Sequence, residues 1–186
     1  MIILKGKHSI VKILNNKVIK TFHYKLNFWK EVKYLSLLQP FEFVPKIYKI
    51  NSEKLEIEME YIKGISLSEL IKNGNYKEIL EILEKSMDIC YLLDKLKIQK
   101  CEMNHPDKHI IISNSKPIFI DFERAYETNY PKNLTQFTNY IIKILNLWEN
   151  LENLIELLKK YKRNYEYNNY LNIKNLIFSQ TYAKIT

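Results

Sequence analysis

The 186-residue chain is 46% hydrophobic and 13% aromatic, with three glycines and five prolines, so its composition favours a full core and excludes a disordered or low-complexity chain. Two cysteines, Cys90 and Cys101, exclude a disulfide framework and fit a reducing compartment. The net charge is +8, but only two residues are arginine, which weakens a case for specific nucleic-acid readout and leaves weak, non-specific polyanion binding. The apolar runs are too short for a signal peptide or a membrane span, which predicts a cytoplasmic protein.

The N-terminal third of the chain is rich in short β-type runs. They predict strands at Ile2–Leu4, Ile10–Leu14, Val18–Thr21, Lys46–Ile50 and Leu55–Tyr61. Asn15-Asn16 tolerates positive φ and predicts a tight hairpin turn between the second and third strands. Apolar residues at helical spacing predict one helix from about Asn27 to Leu38, which Gln39-Pro40 ends.

The chain changes character after Gly64, where helical patterns dominate. Ser66 and Glu69 have the spacing of a capping box, and a wide apolar stripe predicts a long helix from about Tyr76 to Leu96. Three more helices are predicted near residues 133–147, 149–162 and 170–182. We therefore predict an α+β fold made of one bilobal domain, with a β-rich lobe at 1–63 that contains one helix and a helical lobe at 64–186.

A hairpin with polar ends interrupts the helical region. Its strands are the β-branched run that follows His105-Pro106-Asp107-Lys108-His109 and the run Pro117-Ile118-Phe119-Ile120, which ends at Asp121. A hairpin brings its two ends side by side, and the polar groups there suit a divalent metal that carries phosphates.

The order of these parts, from about residue 5 to 125, resembles a minimal protein-kinase-like fold. Val18-Ile19-Lys20 resembles the strand with the phosphate-binding lysine, Glu31 stands on the following helix, and Asp121-Phe122-Glu123 occupies the D-F-G position. The sequence is most similar to the small prokaryotic predicted Ser/Thr protein kinases that carry I-D-F-E-R-A here, distant relatives of the RIO and KEOPS-complex kinases.

This resemblance implies ATP and Mg²⁺ as ligands and γ-phosphate transfer to a hydroxyl acceptor. It places Lys20 on the α/β-phosphates, Glu31 as the carboxylate that holds this lysine, and Asp121 on the metal. The remaining nucleotide contacts that it implies are the phosphate loop and the adenine-binding link, represented by Gly6, Ser9, Met59, Glu60 and Ile62. With a single glycine in the loop, the Ser9 hydroxyl is expected to donate to a phosphate instead.

The catalytic loop departs most from the kinase pattern. Counting back through the hairpin puts His109 near the place of the metal-binding Asn, and Asn104 stands where the base would be. Glu102 and Asp107 are the two carboxylates that could orient the acceptor hydroxyl, with Glu102 slightly favoured. Lys108 is expected to neutralise charge that develops on the γ-phosphate. His109 and Asn104 are the expected additional Mg²⁺ ligands.

Other functions fit parts of the sequence. The atypical loop fits a pseudokinase that binds nucleotide without transfer, and the Lys/Tyr-rich run 159–165 fits a basic RNA-associated protein or, with fewer assumptions, a solvated helix end. His105, His109 and Cys101 suggest a minor zinc possibility. Glu123 replaces the last glycine of D-F-G, which predicts a rigid motif without a regulatory flip. No long activation segment follows, so the acceptor is the protein itself, a folded partner or a small molecule.

Overall fold

The computed structural model describes residues 2–182, without the side chains of residues 150 and 180. Its strands are β1 (Ile2–Lys5), β2 (Ser9–Leu14), β3 (Lys17–Phe22), β4 (Ile47–Asn51), β5 (Glu56–Glu60), β6 (Ile65–Ser66), β7 (Ile98–Gln99), β8 (Ile110–Ser113), β9 (Lys116–Phe119) and β10 (Tyr126–Glu127). Its helices are α1 (Lys25–Leu38), α2 (Leu67–Asn73), α3 (Tyr76–Lys95), α4 (Asn133–Leu145), α5 (Leu151–Asn164) and α6 (Tyr167–Tyr182). The predicted α+β class is confirmed.

The described residues divide into two compact units. One contains the chain up to Ser66 together with His109–Tyr126, and the other contains Leu67–Lys108 together with the residues from Glu127 onward. The lobe boundary that we predict between residues 63 and 64 stays a prediction. Within residues 2–182, no helix is long and apolar enough to cross a bilayer.

The first unit is built on an antiparallel sheet in the order β1-β2-β3-β5-β4. Its β2–β3 hairpin closes through Asn15 and Asn16 with φ of 49° and 59°, as their tolerance of positive φ predicts. Helix α1 contacts β3 and β4 and buries one apolar face, formed by Phe28, Tyr34, Leu35 and Leu38. The core of this unit includes Phe28, Leu35, Leu38, Ile57, Phe119 and Phe122.

The predicted polar-ended hairpin is present in the first unit as β8 and β9, which turn at Asn114 and Ser115 with φ of 49° and 56°. Strand β6 pairs with the edge of β8 that β9 leaves open. This strand was not predicted, because two residues are too few to show a periodic pattern. Gly64 precedes β6, and a Cβ atom at this position would lie 2.0 Å from the carbonyl oxygen of Ile112. Only glycine therefore fits this approach to the hairpin backbone.

The second unit is centred on a buried carboxylate, Asp94, near the end of α3. Its Oδ1 accepts hydrogen bonds from the backbone and side-chain nitrogens of Asn133, at 3.0 and 2.8 Å. Its Oδ2 accepts from the Leu134 amide at 3.2 Å and from the Tyr161 hydroxyl at 2.8 Å. Burial raises the pKa of Asp94, and these donors oppose that shift only in part. One carboxylate thus ties together α3, α4 and α5.

Asn133 extends the same network to the segment that follows α3. Its Oδ1 accepts from the Lys100 amide at 2.8 Å, and its Nδ2 donates to the Ile98 carbonyl at 2.6 Å. The Gln99 side chain accepts from the Lys132 amide at 2.6 Å. The backbone just before the predicted catalytic loop is therefore fixed by side chains at the start of α4.

We expect Asp94→Asn to lower the free energy of unfolding by about 2–3 kcal/mol, because an amide cannot accept from donors on both sides of the group. Urea unfolding followed by circular dichroism measures this loss. Asp88→Asn is the matched control, since the half-exposed Asp88 on the same helix accepts from Lys174 and Tyr170 and keeps an acceptor oxygen as an amide. Equal losses in the two variants would contradict a central role for Asp94.

Candidate functional site

Lys20 lies in the middle of β3 and is buried, with 7% of its surface exposed. Its Nζ atom is 2.9 Å from Asp121 Oδ1, 3.2 Å from Glu123 Oε2 and 3.4 Å from Glu31 Oε1. All four residues belong to the first compact unit. The sequence places Glu31 and Asp121 eleven and 101 residues away from Lys20, and the fold brings both to the same ammonium group.

The three carboxylates explain how a lysine can remain charged in the interior. Burial lowers the pKa of Lys20, because a buried ammonium loses its hydration. The negative charges of Glu31, Asp121 and Glu123 outweigh that effect and hold the pKa of Lys20 above its ordinary value. Lys20 therefore keeps its charge at neutral pH and is suited to contact phosphate oxygens.

Glu31 has a second function besides its contact with Lys20. It lies on the buried face of α1, and its Oε2 accepts a hydrogen bond from the Phe122 amide at 2.6 Å. A carboxylate that accepts from a backbone amide forms a short, strong hydrogen bond. Glu31 therefore fixes the backbone next to Asp121 as well as the lysine.

Asp121 is the exposed member of the cluster. Its side chain is 37% exposed, and its φ of 66° lies in the left-handed region, which costs a non-glycine residue conformational energy. The Ile120 amide donates to the His109 carbonyl at 3.0 Å, and His109 Nδ1 lies 3.8 Å from Asp121 Oδ2. The hairpin thus brings His109 and Asp121 together, as its two-ended pattern predicts.

The donor chemistry at Asp121 fits Mg²⁺ better than a transition metal. Mg²⁺ is usually held by one or two carboxylates together with phosphates and water, whereas zinc needs a cluster of His, Cys or acidic ligands. No group of three or more such side chains close enough to hold a metal occurs within residues 2–182, and this includes the cysteine and histidines of the zinc hypothesis. The imidazole of His109 is a poor match for a hard cation, but it can orient the Asp121 carboxylate.

The predicted phosphate loop is a tight turn. The Gly6 amide donates to the Ser9 carbonyl at 2.9 Å, which closes the connection between β1 and β2. Ser9 is the first residue of β2 and is buried. A hydrogen bond from the Ser9 hydroxyl to a phosphate stays a prediction.

The predicted adenine-binding link begins in β5 and continues beyond its last residue. Met59 is buried in this strand opposite Val18, and the Glu60 side chain accepts from the Lys46 amide at 3.2 Å. Ile62 is partly exposed just after the strand. Their contacts with a nucleotide stay predictions.

The predicted catalytic segment belongs to the second unit, where Asp107 is held by two neighbours. Its Oδ1 accepts from the Tyr140 hydroxyl at 2.8 Å, and its backbone carbonyl accepts from the Ser68 amide at 3.3 Å. Burial and this bond to Asp107 raise the pKa of Tyr140, so the phenol keeps its proton and remains the donor.

The other residues of this segment are more accessible. Glu102 is partly exposed with a φ of 74°, and Lys108 is exposed. Asn104 lies with His105 in a shallow groove that α4 and the following turn complete. Of the two candidate bases, Asp107 is more constrained than Glu102, because Tyr140 and Ser68 donate hydrogen bonds to it.

The basic run 159–165 is the solvated end of α5. Lys159, Lys160, Lys162 and Arg163 are exposed there. Tyr161 is fully buried and bonded to Asp94, and the Tyr165 hydroxyl donates to the Pro131 carbonyl at 3.1 Å. These tyrosines pack within the fold, so the hypothesis that they stack on nucleic-acid bases is wrong.

Glu123 is the site residue whose contact the sequence analysis missed. The D-F-G comparison treats this position only as a lost glycine, whereas the structure places a buried carboxylate beside Lys20. A signal was available in the sequence, because Glu123 stands two residues after Asp121, which directly follows an apolar run. A buried acid needs a cation or hydrogen-bond donors beside it.

The chain is similar in sequence to one protein and in structure to another. No protein-family model matches the sequence. The chain is 28% identical over 116 residues to the uncharacterised protein MJ1211 of Methanocaldococcus jannaschii, an alignment that covers 56% of this chain and 99% of that protein.

The structure is similar to Rio2 kinase from Chaetomium thermophilum in its ADP/Mg²⁺-phosphoaspartate complex, with a TM-score of 0.59 and 16% identity. The match covers 79% of this chain but only 54% of the Rio2 chain, so this protein spans about half the length of that kinase. The predicted α+β kinase-like fold is thereby confirmed as a fold similar to that of Rio2 kinase.

We expect Lys20→Met to lower the free energy of unfolding by about 3–5 kcal/mol, because it leaves the carboxylates of Glu31 and Glu123 buried without a cation. Urea unfolding of the nucleotide-free protein measures the loss. Lys17→Met is the matched control on the same strand, since Lys17 pairs with Glu58 at the exposed surface and its loss should change stability little. A Lys20 effect as small as that of the control would contradict the electrostatic account of the cluster.

Proposed function

We propose that this protein is an ATP-dependent, Mg²⁺-requiring phosphotransferase of the cytoplasm that acts as a Ser/Thr kinase and transfers the γ-phosphate to a hydroxyl acceptor. The observation that carries the proposal is the buried Lys20 ammonium held by Glu31 and Asp121 on a kinase-like fold. A permanent cation beside an exposed carboxylate is the pair of charges that a metal-bound polyphosphate requires.

In this proposal the first unit binds the nucleotide. Lys20 contacts the α/β-phosphates while Glu31 holds it in place, and the Gly6 turn with Ser9 covers the phosphates. The backbone around Met59, Glu60 and Ile62 reads the adenine. Asp121 would hold Mg²⁺ while His109 orients its carboxylate, and the bound ion would supply neutralisation of phosphate charge.

Glu102 or Asp107 orients the acceptor hydroxyl in this proposal, and we favour Glu102. Asp107 already accepts a hydrogen bond from Tyr140 and is tied through its backbone to Ser68, which suits a residue that shapes the loop. Lys108, exposed beside it, stabilises charge on the transferred phosphoryl group. The acceptor is a protein or a small molecule, and the +8 charge supports weak attraction to polyanions.

A second candidate is a pseudokinase-type module that binds nucleotide without transfer. It is favoured by Asn104, which occupies the register of the usual base, and by the engagement of Asp107 with Tyr140. The Lys20 cluster would then serve nucleotide binding alone.

Transfer of radiolabelled γ-phosphate from ATP in the presence of Mg²⁺ tests the proposal. Lys20→Met and Asp121→Ala should abolish transfer, and Glu102→Ala should lower it by about 10²–10⁴-fold, the range for loss of a general base. Tyr140→Phe should change transfer little, because it removes only a bond to Asp107.

Other results assign the roles differently. If Asp107→Ala abolishes transfer and Glu102→Ala does not, Asp107 is the base. Thermal stabilisation by ATP and Mg²⁺ without any transfer would identify the pseudokinase. Absence of both stabilisation and transfer would contradict nucleotide binding altogether.

A further inference from the structure

We propose that Glu123 is a second positioning residue for Lys20, so that the place of this lysine depends on Glu31 and Glu123 together. The inference deepens the proposed function and rests on it, because the position of Lys20 matters for a phosphate ligand. It concerns only residues of the first unit, whose contacts are described above.

Both glutamates lie close to the Lys20 ammonium group. Glu123 Oε2 lies 3.2 Å from the lysine nitrogen, whereas Glu31 Oε1 lies 3.4 Å from it. Glu31 also accepts a hydrogen bond from the Phe122 amide, at 2.6 Å. Glu31 therefore holds both Lys20 and the backbone beside Asp121, and Glu123 adds a second glutamate contact with the lysine.

Burial separates these glutamates from Asp121. The side chains of Glu31 and Glu123 are 2% and 7% exposed, against 37% for Asp121. A ligand from solvent can reach Asp121 and draw its carboxylate away from the lysine. Glu31 and Glu123 would then be the two anions that keep Lys20 in position.

Glu123 also depends on the lysine for its own charge balance. Within residues 2–182, Glu123 Oε2 is buried and accepts no hydrogen bond, so its compensation is the ion pair with Lys20. A buried carboxylate without a cation is strongly unfavourable. The pairing is thus mutual, which argues for a fixed contact rather than an occasional one.

The nucleotide-free protein provides a test that needs no ligand. Lys20 is followed by mass spectrometry during amine acetylation in the wild type, Glu31→Gln, Glu123→Gln and the double variant. Each single variant should raise the modification rate of Lys20, and the double variant should raise it by more than the product of the two. Glu58→Gln is the matched control and should raise the rate of Lys17 alone, since Glu58 pairs with Lys17.

Nucleotide affinity gives the second readout. Glu123→Gln should weaken calorimetric binding of ATP with Mg²⁺ about tenfold, the size of coupling expected between residues in contact. Glu123→Asp should recover part of that loss, and circular dichroism should show each variant folded at the assay temperature. A positioning residue changes affinity while the protein remains folded.

Two results would overturn the inference. One is unchanged Lys20 acetylation in Glu123→Gln, and the other is tighter ATP binding in that variant, which would make Glu123 a competitor of the phosphates. If the wild type binds no ATP, the proposed function fails, yet the acetylation rates still decide whether Glu123 positions the lysine.

Discussion

The first unit depends on one constraint, which is that an ammonium group placed inside a sheet must be surrounded by anions. Strand β3 carries Lys20 inward, and the carboxylates that compensate it come from α1 and from the residues after β9. Satisfying this one charge therefore fixes the helix, the sheet and the hairpin relative to each other within that unit. The same contacts leave an exposed carboxylate at Asp121, where a ligand can bind.

The second unit differs from the first because it is centred on a buried anion, Asp94. Asp94 accepts hydrogen bonds from neutral donors, namely two backbone amides, one side-chain amide and a phenol. Fixed dipoles of this kind hold a loop in place without attracting a charged ligand. Asp94 is accordingly structural, whereas the charged cluster around Lys20 suits an exchange of ionic partners.

Much of the fold could be predicted because it follows local patterns. The Asn15-Asn16 turn, the stripe of α3 and the β8–β9 hairpin each express a preference carried by adjacent residues. Lys20, Glu31 and Asp121 were found from their order along the chain. Strand β6, the contact of Glu123 and the Asp94 network were not, because each depends on a partner distant in sequence. Asp94 in particular resembles any acid on an amphipathic helix until Asn133 and Tyr161 are placed beside it.

The turns of this chain have a consequence for its rigidity. Among the described residues, eleven non-glycine residues have positive φ and no glycine does, so asparagines and larger side chains occupy conformations that glycine adopts at least cost. Such residues sample fewer backbone conformations in the unfolded chain than glycine would. They also occupy a narrower well once folded. The low glycine content therefore brings some conformational strain and makes the hairpin turns stiffer. Strand β3, which carries Lys20, and strand β9, which precedes Asp121, are each joined to a neighbouring strand by a turn of this kind.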